Sequence, residues 1–169
     1  APIAAAPIKP LLTDKELAQV RASLQDVDPS IRWAAVELLF NIRDPQLPTI
    51  VDQILQEDQD AELRVRVIGL YKGREDLAKL GGLVRGLNDV EKVVRLASLQ
   101  AIGDIGDPSV SQWVIACLRD SEPEVRLAAL RTIGRFQEKR KAEFDELAER
   151  LKKEYEDALR RGRKSWREG

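Results

Sequence analysis

The chain has 169 residues, 43% of them apolar but only 5% aromatic, so small aliphatic side chains must fill one domain's core. Charged residues make up 34% with a net charge of −1, a mixed-sign surface that does not point to nucleic acid or to a membrane. Histidine is absent and cysteine occurs once, which excludes His-based metal sites, histidine general bases, Ser-His-Asp or Cys-His nucleophile systems and an internal disulfide.

The opening stretch, Ala1 to Ile8, has no methionine and fits either a processed mature end or an excised initiator. The compartment is therefore open: cytoplasmic, or exported or organellar after processing. Thr13-Asp14-Lys15-Glu16 is a capping box and predicts a helix to about Gln25. From there a beat sets in. Arg32, Arg64, Arg95 and Arg126 lie 32, 31 and 31 residues apart. Each follows an apolar residue (Ile31, Leu63, Val94, Val125) and stands six residues after an aspartate (Asp26, Asp58, Asp89, Asp120). An acidic residue precedes each by four: Asp28, Asp60, Glu91, Glu122. Pro29 and Pro123 suit a first helical turn, and Gly73, Gly103 and Gly134 read as stops. Each arginine thus lies in its own helix, here termed B.

Between the B helices a second set, A, is expected over about Leu47–Gln56, Asp76–Asn88 and Pro108–Arg119. In the last, Val110, Trp113, Val114, Cys117 and Leu118 fall on one helical face, so Trp113 reads as core and Cys117 as a buried small hydrophobe. No segment alternates with period two, so no strand is expected. A period of this length means stacked helix pairs, none of which can bury its apolar face alone.

The pattern D-x-[DE]-x-x-[ILV]-R, followed by small and aliphatic residues and then Ile-Gly, resembles HEAT repeats over roughly residues 13 to 136. More narrowly, it is similar to the short HEAT-like repeats of phycobilisome lyase subunits. Asp120, Glu122, Pro123, Val125, Arg126, Ala128, Ala129, Leu130, Ile133 and Gly134 carry the match best. The second unit departs with Val67, Tyr71 and one extra residue. The expected fold is all-α: a right-handed α-solenoid of four HEAT-like helix pairs (13–43, 44–74, 75–106, 107–136) plus a long C-terminal capping helix. Residues 1–12 form an extended lead, and 137–169 hold that helix and a basic tail.

The repeated charges read as a structural ladder: Asp26, Asp58, Asp89 and Asp120 cap the B helices and receive Arg32, Arg64, Arg95 and Arg126 of neighbouring units. Around each arginine, positions −1, +3, +4 and +7 face the core, which in unit four are Val125, Ala129, Leu130 and Ile133. Position +1 points toward the concave face and holds Trp33, Val65, Leu96 and Leu127. With Glu37, Arg66, Gln100 and Arg131 alongside, these form the candidate partner-binding face, suited to a helix or an extended peptide. The competing reading buries +1 between adjacent B helices.

After Phe136 a helix over about Lys139–Arg163 carries the stripe Phe144, Leu147, Leu151, Tyr155 and Ala158. Its first half is expected to cover the last repeat. Its distal half, with Leu151, Tyr155, Leu159 and Trp166, is expected to overhang, as a docking arm or as a solvated end. The basic tail also leaves open contact with a membrane surface.

The functional expectation is a non-enzymatic protein-binding scaffold or complex subunit, with no cofactor, metal or nucleic acid. The resemblance implies one alternative, a bilin-handling lyase or chaperone, with Trp33 or Tyr71 walling a tetrapyrrole pocket.

Overall fold

The computed structural model describes residues 11–74, 77 and 81–168, which are helical wherever they are regular, with no strand among them. Eight α-helices follow in chain order: α1 (Asp14–Ala22), α2 (Pro29–Asn41), α3 (Leu47–Glu57), α4 (Ala61–Gly69), α5 (Gly81–Gly86), α6 (Lys92–Ile105), α7 (Ser111–Ala116) and α8 (Pro123–Glu168). The A helices are α1, α3, α5 and α7; the B helices are α2, α4, α6 and α8. Each A helix packs on the B helix that follows it, and the B helices pack in sequence, α2 on α4, α4 on α6 and α6 on α8. This is the layered stack expected of an α-solenoid. The start expected for the third A helix, at Asp76, lies outside the described residues.

Local chemistry explains the boundaries. The Thr13 hydroxyl accepts the Glu16 N–H while the Glu16 carboxylate accepts the Thr13 N–H, which closes the capping box on α1. Asp28 and Asp60 cap α2 and α4, accepting from the Ser30 and Leu63 N–H groups at 2.8 Å. Gly106, with φ +69°, ends α6 in the left-handed conformation that glycine adopts without steric cost.

Two of the expected stops are corrected. Gly103 lies inside α6, and Gly134 lies inside α8, which runs 46 residues without a break. A mid-helix glycine costs only about 1 kcal/mol, and the strong helix formers after Gly134 outweigh it. The last B helix and the C-terminal extension are therefore one helix. From Gln137 onward every described residue is exposed except half-buried Asp157, so the overhang begins earlier than the distal half.

The core holds aliphatic side chains from both layers, among them Val36, Leu39, Leu47, Val51, Leu63, Leu83, Leu99, Ile102, Val114 and Val125. Tyr71 joins them, and its burial pushes the phenol pKa up to about 12. Its bulk is accommodated by α5: a Cβ on Gly82 would come within 2.6 Å of the Tyr71 hydroxyl. Four residues on, a Cβ on Gly86 would run into the Ser98 Oγ, so the two glycines let α5 approach both α3 and α6 closely.

Three residues expected in the core, Ile31, Trp113 and Leu130, are not there. Trp113 is 40% exposed, although Val110, Val114 and Cys117 beside it are buried. The expected helix is broken into a 3-10 turn, one and a half α-turns and a second 3-10 turn. The tighter 3-10 winding narrows the inward face and leaves Trp113 at its edge. Leu130 is 58% exposed, in the position that buries Val36, Ile68 and Leu99 in the first three repeats.

Candidate functional site

Three arginines of the beat reach the turn aspartate of the following repeat, while Arg126 and Asp26 have no such partner among the described residues. Arg32 donates from Nε and Nη2 to the two carboxylate oxygens of Asp58, at 2.9 and 3.0 Å. Arg64 does the same to Asp89 (2.8 and 2.9 Å) and Arg95 to Asp120 (2.8 and 3.0 Å). The third guanidinium nitrogen, Nη1, turns back to a carbonyl of its own A–B turn: Asp26 O for Arg32, Asp58 O for Arg64, Asp89 O for Arg95. Each arginine thereby ties its own turn to the next. The aspartates do not cap the helices themselves. Their Oδ1 accepts the N–H two residues on, those of Asp28, Asp60, Glu91 and Glu122, and so shapes the turn before the cap. Burial raises the cost of the Asp120 carboxylate, but the Glu122 N–H and Arg95 outweigh it and hold its pKa below the usual range.

Further ties escape the arginine beat. Arg21 of α1 makes a bidentate pair with buried Asp44, which holds the Asp44 carboxyl below its ordinary range against the opposing effect of burial. Arg74 donates to Phe40 O at the end of α2 and stacks over the Phe40 ring at 4.3 Å. Lys139 donates to Gly106 O at 3.2 Å at the end of α6, where a cation suits the helix dipole. None of these recurs at one register, so periodicity could not reveal them.

The B-helix face holds the +1 residues, and their burial is intermediate between the two expectations. Trp33, Val65 and Leu96 are half-buried, packed partly against the core, while Leu127 is exposed. Between α4 and α6 lies a hollow of about 480 Å³, with Val65, Ile68, Gly69, Ala97, Ala101 and Ile105 among its walls. Between α6 and α8 lies another of about 530 Å³, with Leu96, Leu127, Ala128 and Arg131 among its walls. Ala97 and Gln100 line both, so the two hollows flank α6 and together make a grooved face across three helices. The glycine and alanines open it; Asp104, Gln100, Arg131 and Arg135 give it polar points, and Arg135 donates to Asp104 at 2.6 Å.

At the α2 end the face is nearly filled. Arg66 lies over the Trp33 ring at 5.7 Å and pairs with Glu62, leaving a gap of about 60 Å³. Glu37 is exposed on α2, away from the groove's walls. Of the arm residues, Leu151, Tyr155, Leu159 and Trp166 are all exposed. Tyr71, the second wall of the tetrapyrrole reading, lies in the core instead, because the room left by Gly82 draws it inward. Burial likewise pushes the Cys117 thiol pKa up, as suits an unreactive packing residue. Among the described residues no cluster of acidic and cysteine side chains could hold a metal, and no helix is long and apolar enough to cross a membrane.

Helix pairs in register, joined turn to turn by arginine–aspartate rungs, define an α-solenoid. A family model described as HEAT repeats matches residues 81–164, and one described as a HEAT repeat associated with sister chromatid cohesion matches residues 12–39. Both matched segments are similar to HEAT repeats, and neither match singles out the lyase type. No curated protein matches the chain significantly.

Proposed function

We propose that the protein is a binding scaffold whose B-helix groove holds a helix or an extended segment of a protein partner. HEAT repeats in general mediate protein–protein interaction, and the observation that carries the reading here is the pair of adjoining hollows on the B-helix face. Two hollows share Ala97 and Gln100, and together they offer an apolar floor with polar points spaced along it. Val65, Leu96 and Leu127 supply apolar contacts, and Gln100 and Arg131 supply orientation. Trp33 with Arg66 forms the shallower end, and Glu37 lies beyond it. The exposed stripe of Leu151, Tyr155, Leu159 and Trp166 is a second surface for the same or another partner.

Filling the groove tests this directly. Ala97→Trp places a bulky ring where the two hollows meet, and Leu127→Ser removes an exposed apolar contact. A protein captured by the wild-type chain is expected to be lost from both variants, with circular dichroism and Tm unchanged. Equal capture by the folded variants would overturn the groove as the binding surface.

A further inference from the structure

Three internal junctions show what a repeat presents to its neighbours. On the side facing the following repeat, each of the first three repeats offers an arginine and two buried apolar residues, at +4 and +7 of its B helix or the turn just after it: Val36 and Leu39, Ile68 and Tyr71, Leu99 and Ile102. On the side facing the preceding repeat, the later units offer the turn aspartate and the −1 residue, buried as Leu63, Val94 and Val125. The +6 residue belongs to this second side, as Thr132 shows by reaching Leu99 O on α6.

Among the described residues, each end of the stack carries one half of such a junction, unfilled. In the fourth repeat, Arg126 donates Nη1 to Asp120 O at 2.7 Å, as its counterparts do, but no carboxylate among the described residues receives its other two nitrogens. Leu130 is left exposed and Ile133 half-buried beside it. In the first repeat, Asp26 is shaped by the Asp28 N–H like every other rung aspartate, yet no arginine among the described residues reaches its carboxylate. Ile31, at −1, is 43% exposed, and Leu38, at +6, is 38% exposed.

We infer that the two ends are complementary and that a second copy of this chain stacks head to tail on the first. One copy's Arg126 closes a bidentate rung on the other's Asp26, and Leu130 and Ile133 pack against Ile31 and Leu38. The chain supplies both halves of this contact, and its three internal junctions supply the geometry. Beyond the repeats, Ile133, Phe144, Tyr155 and Trp166 recur every 11 residues, three helical turns, so the apolar face continues along α8 on the side that carries Arg126. The contact joins different surfaces of the two copies, so it propagates until it closes into a ring or continues as a filament. It is separate from the partner groove and does not depend on it.

The test uses the full chain in sedimentation velocity and multi-angle light scattering over a concentration series. The expected result is a mass that rises past two chains as concentration increases. Asp26→Arg puts like charges in the contact, and so does Arg126→Asp. Each variant is expected to be monomeric alone, and mixing the two is expected to restore assembly, because the reversed charges then meet as opposites. Leu130→Ser, at a side chain already exposed, is expected to lower assembly at least tenfold without changing the fold. A wild-type chain that stays monomeric throughout would overturn the inference. So would a dimer that stops at two chains, ignores the charge variants and is lost with Leu151→Ser and Tyr155→Ser, because that result assigns self-association to a symmetric pairing of α8.

Discussion

Arg95 makes five hydrogen bonds of 3.3 Å or less: two to Asp120, two to backbone carbonyls of its own turn, at Asp89 and Val90, and one that its own backbone N–H donates to Glu91 O. Both members of the ion pair are largely withdrawn from solvent, so deleting one strands the other. Arg95→Ala is expected to cost about 2–4 kcal/mol, which for a chain of this size lowers Tm by roughly 5–12 °C. Arg95→Lys should recover little of it, because an ammonium cannot reproduce the two-pronged contact. Thermal melts of the three proteins measure this; an unchanged Tm for the alanine variant would show that the rung contributes nothing. The same pairs set the acid response. Asp44 and Asp120 have folded pKa values below the ordinary 3.8. Their contribution is therefore fully present above about pH 4 and is lost as the pH falls through the depressed values. Melting between pH 5 and pH 2 should show the steepest loss below pH 4, and Asp44→Asn, already without its charge, should have a shallower slope. The rungs were legible in the sequence because their partners recur 25 or 26 residues apart. The Arg21–Asp44 tie was not, because it occurs once and joins residues 23 apart.

Among the helices, glycine does opposite work in two places. On α5, Gly86 sits where any Cβ would meet Ser98, so Gly86→Ala is expected to destabilise by about 1–3 kcal/mol. Adding Ser98→Ala should recover part of that loss, since it removes the nearest atom. On α8, a Cβ at Gly134 would meet nothing within 4 Å. Gly134→Ala is therefore expected to stabilise by about 0.5–1 kcal/mol, read as a higher Tm. Read along the chain, Gly134 looked like a stop because propensity is a local signal. What decides the matter is the run of helix formers beyond it and the absence of any turn chemistry. Trp113 and Leu130 were misplaced for another reason: their patterns are correct for a core face, but burial depends on what stacks against that face, and no local pattern carries that information.

Across the whole molecule, the repeats and the overhang are energetically separate. Residues beyond Gln137 bury almost nothing, and the tie that Lys139 makes to Gly106 O is the last hydrogen bond back to the stack among the described residues. A chain ended after residue 142 is expected to melt within about 2 °C of the full-length protein, with the loss of helical signal matching the residues removed. A larger drop would mean that the overhang supports the repeats. The architecture as a whole was readable from the arginine beat, because four units obey one rule. The groove was readable only as a direction, since its room comes from Gly69, Ala97, Ala101 and Ala128 acting together across three helices.

The continuity of α8 has a mechanical consequence. Its first turns form one wall of the groove, and residues 144–168 project about 37 Å beyond the stack without a joint. A load borne at Trp166 acts through that arm on Leu127 and Arg131, so the tip and the groove wall turn as one piece. Inserting a single residue near Arg140 would leave the wall untouched and rotate everything beyond it by about 100°, swinging the aromatic face out of line.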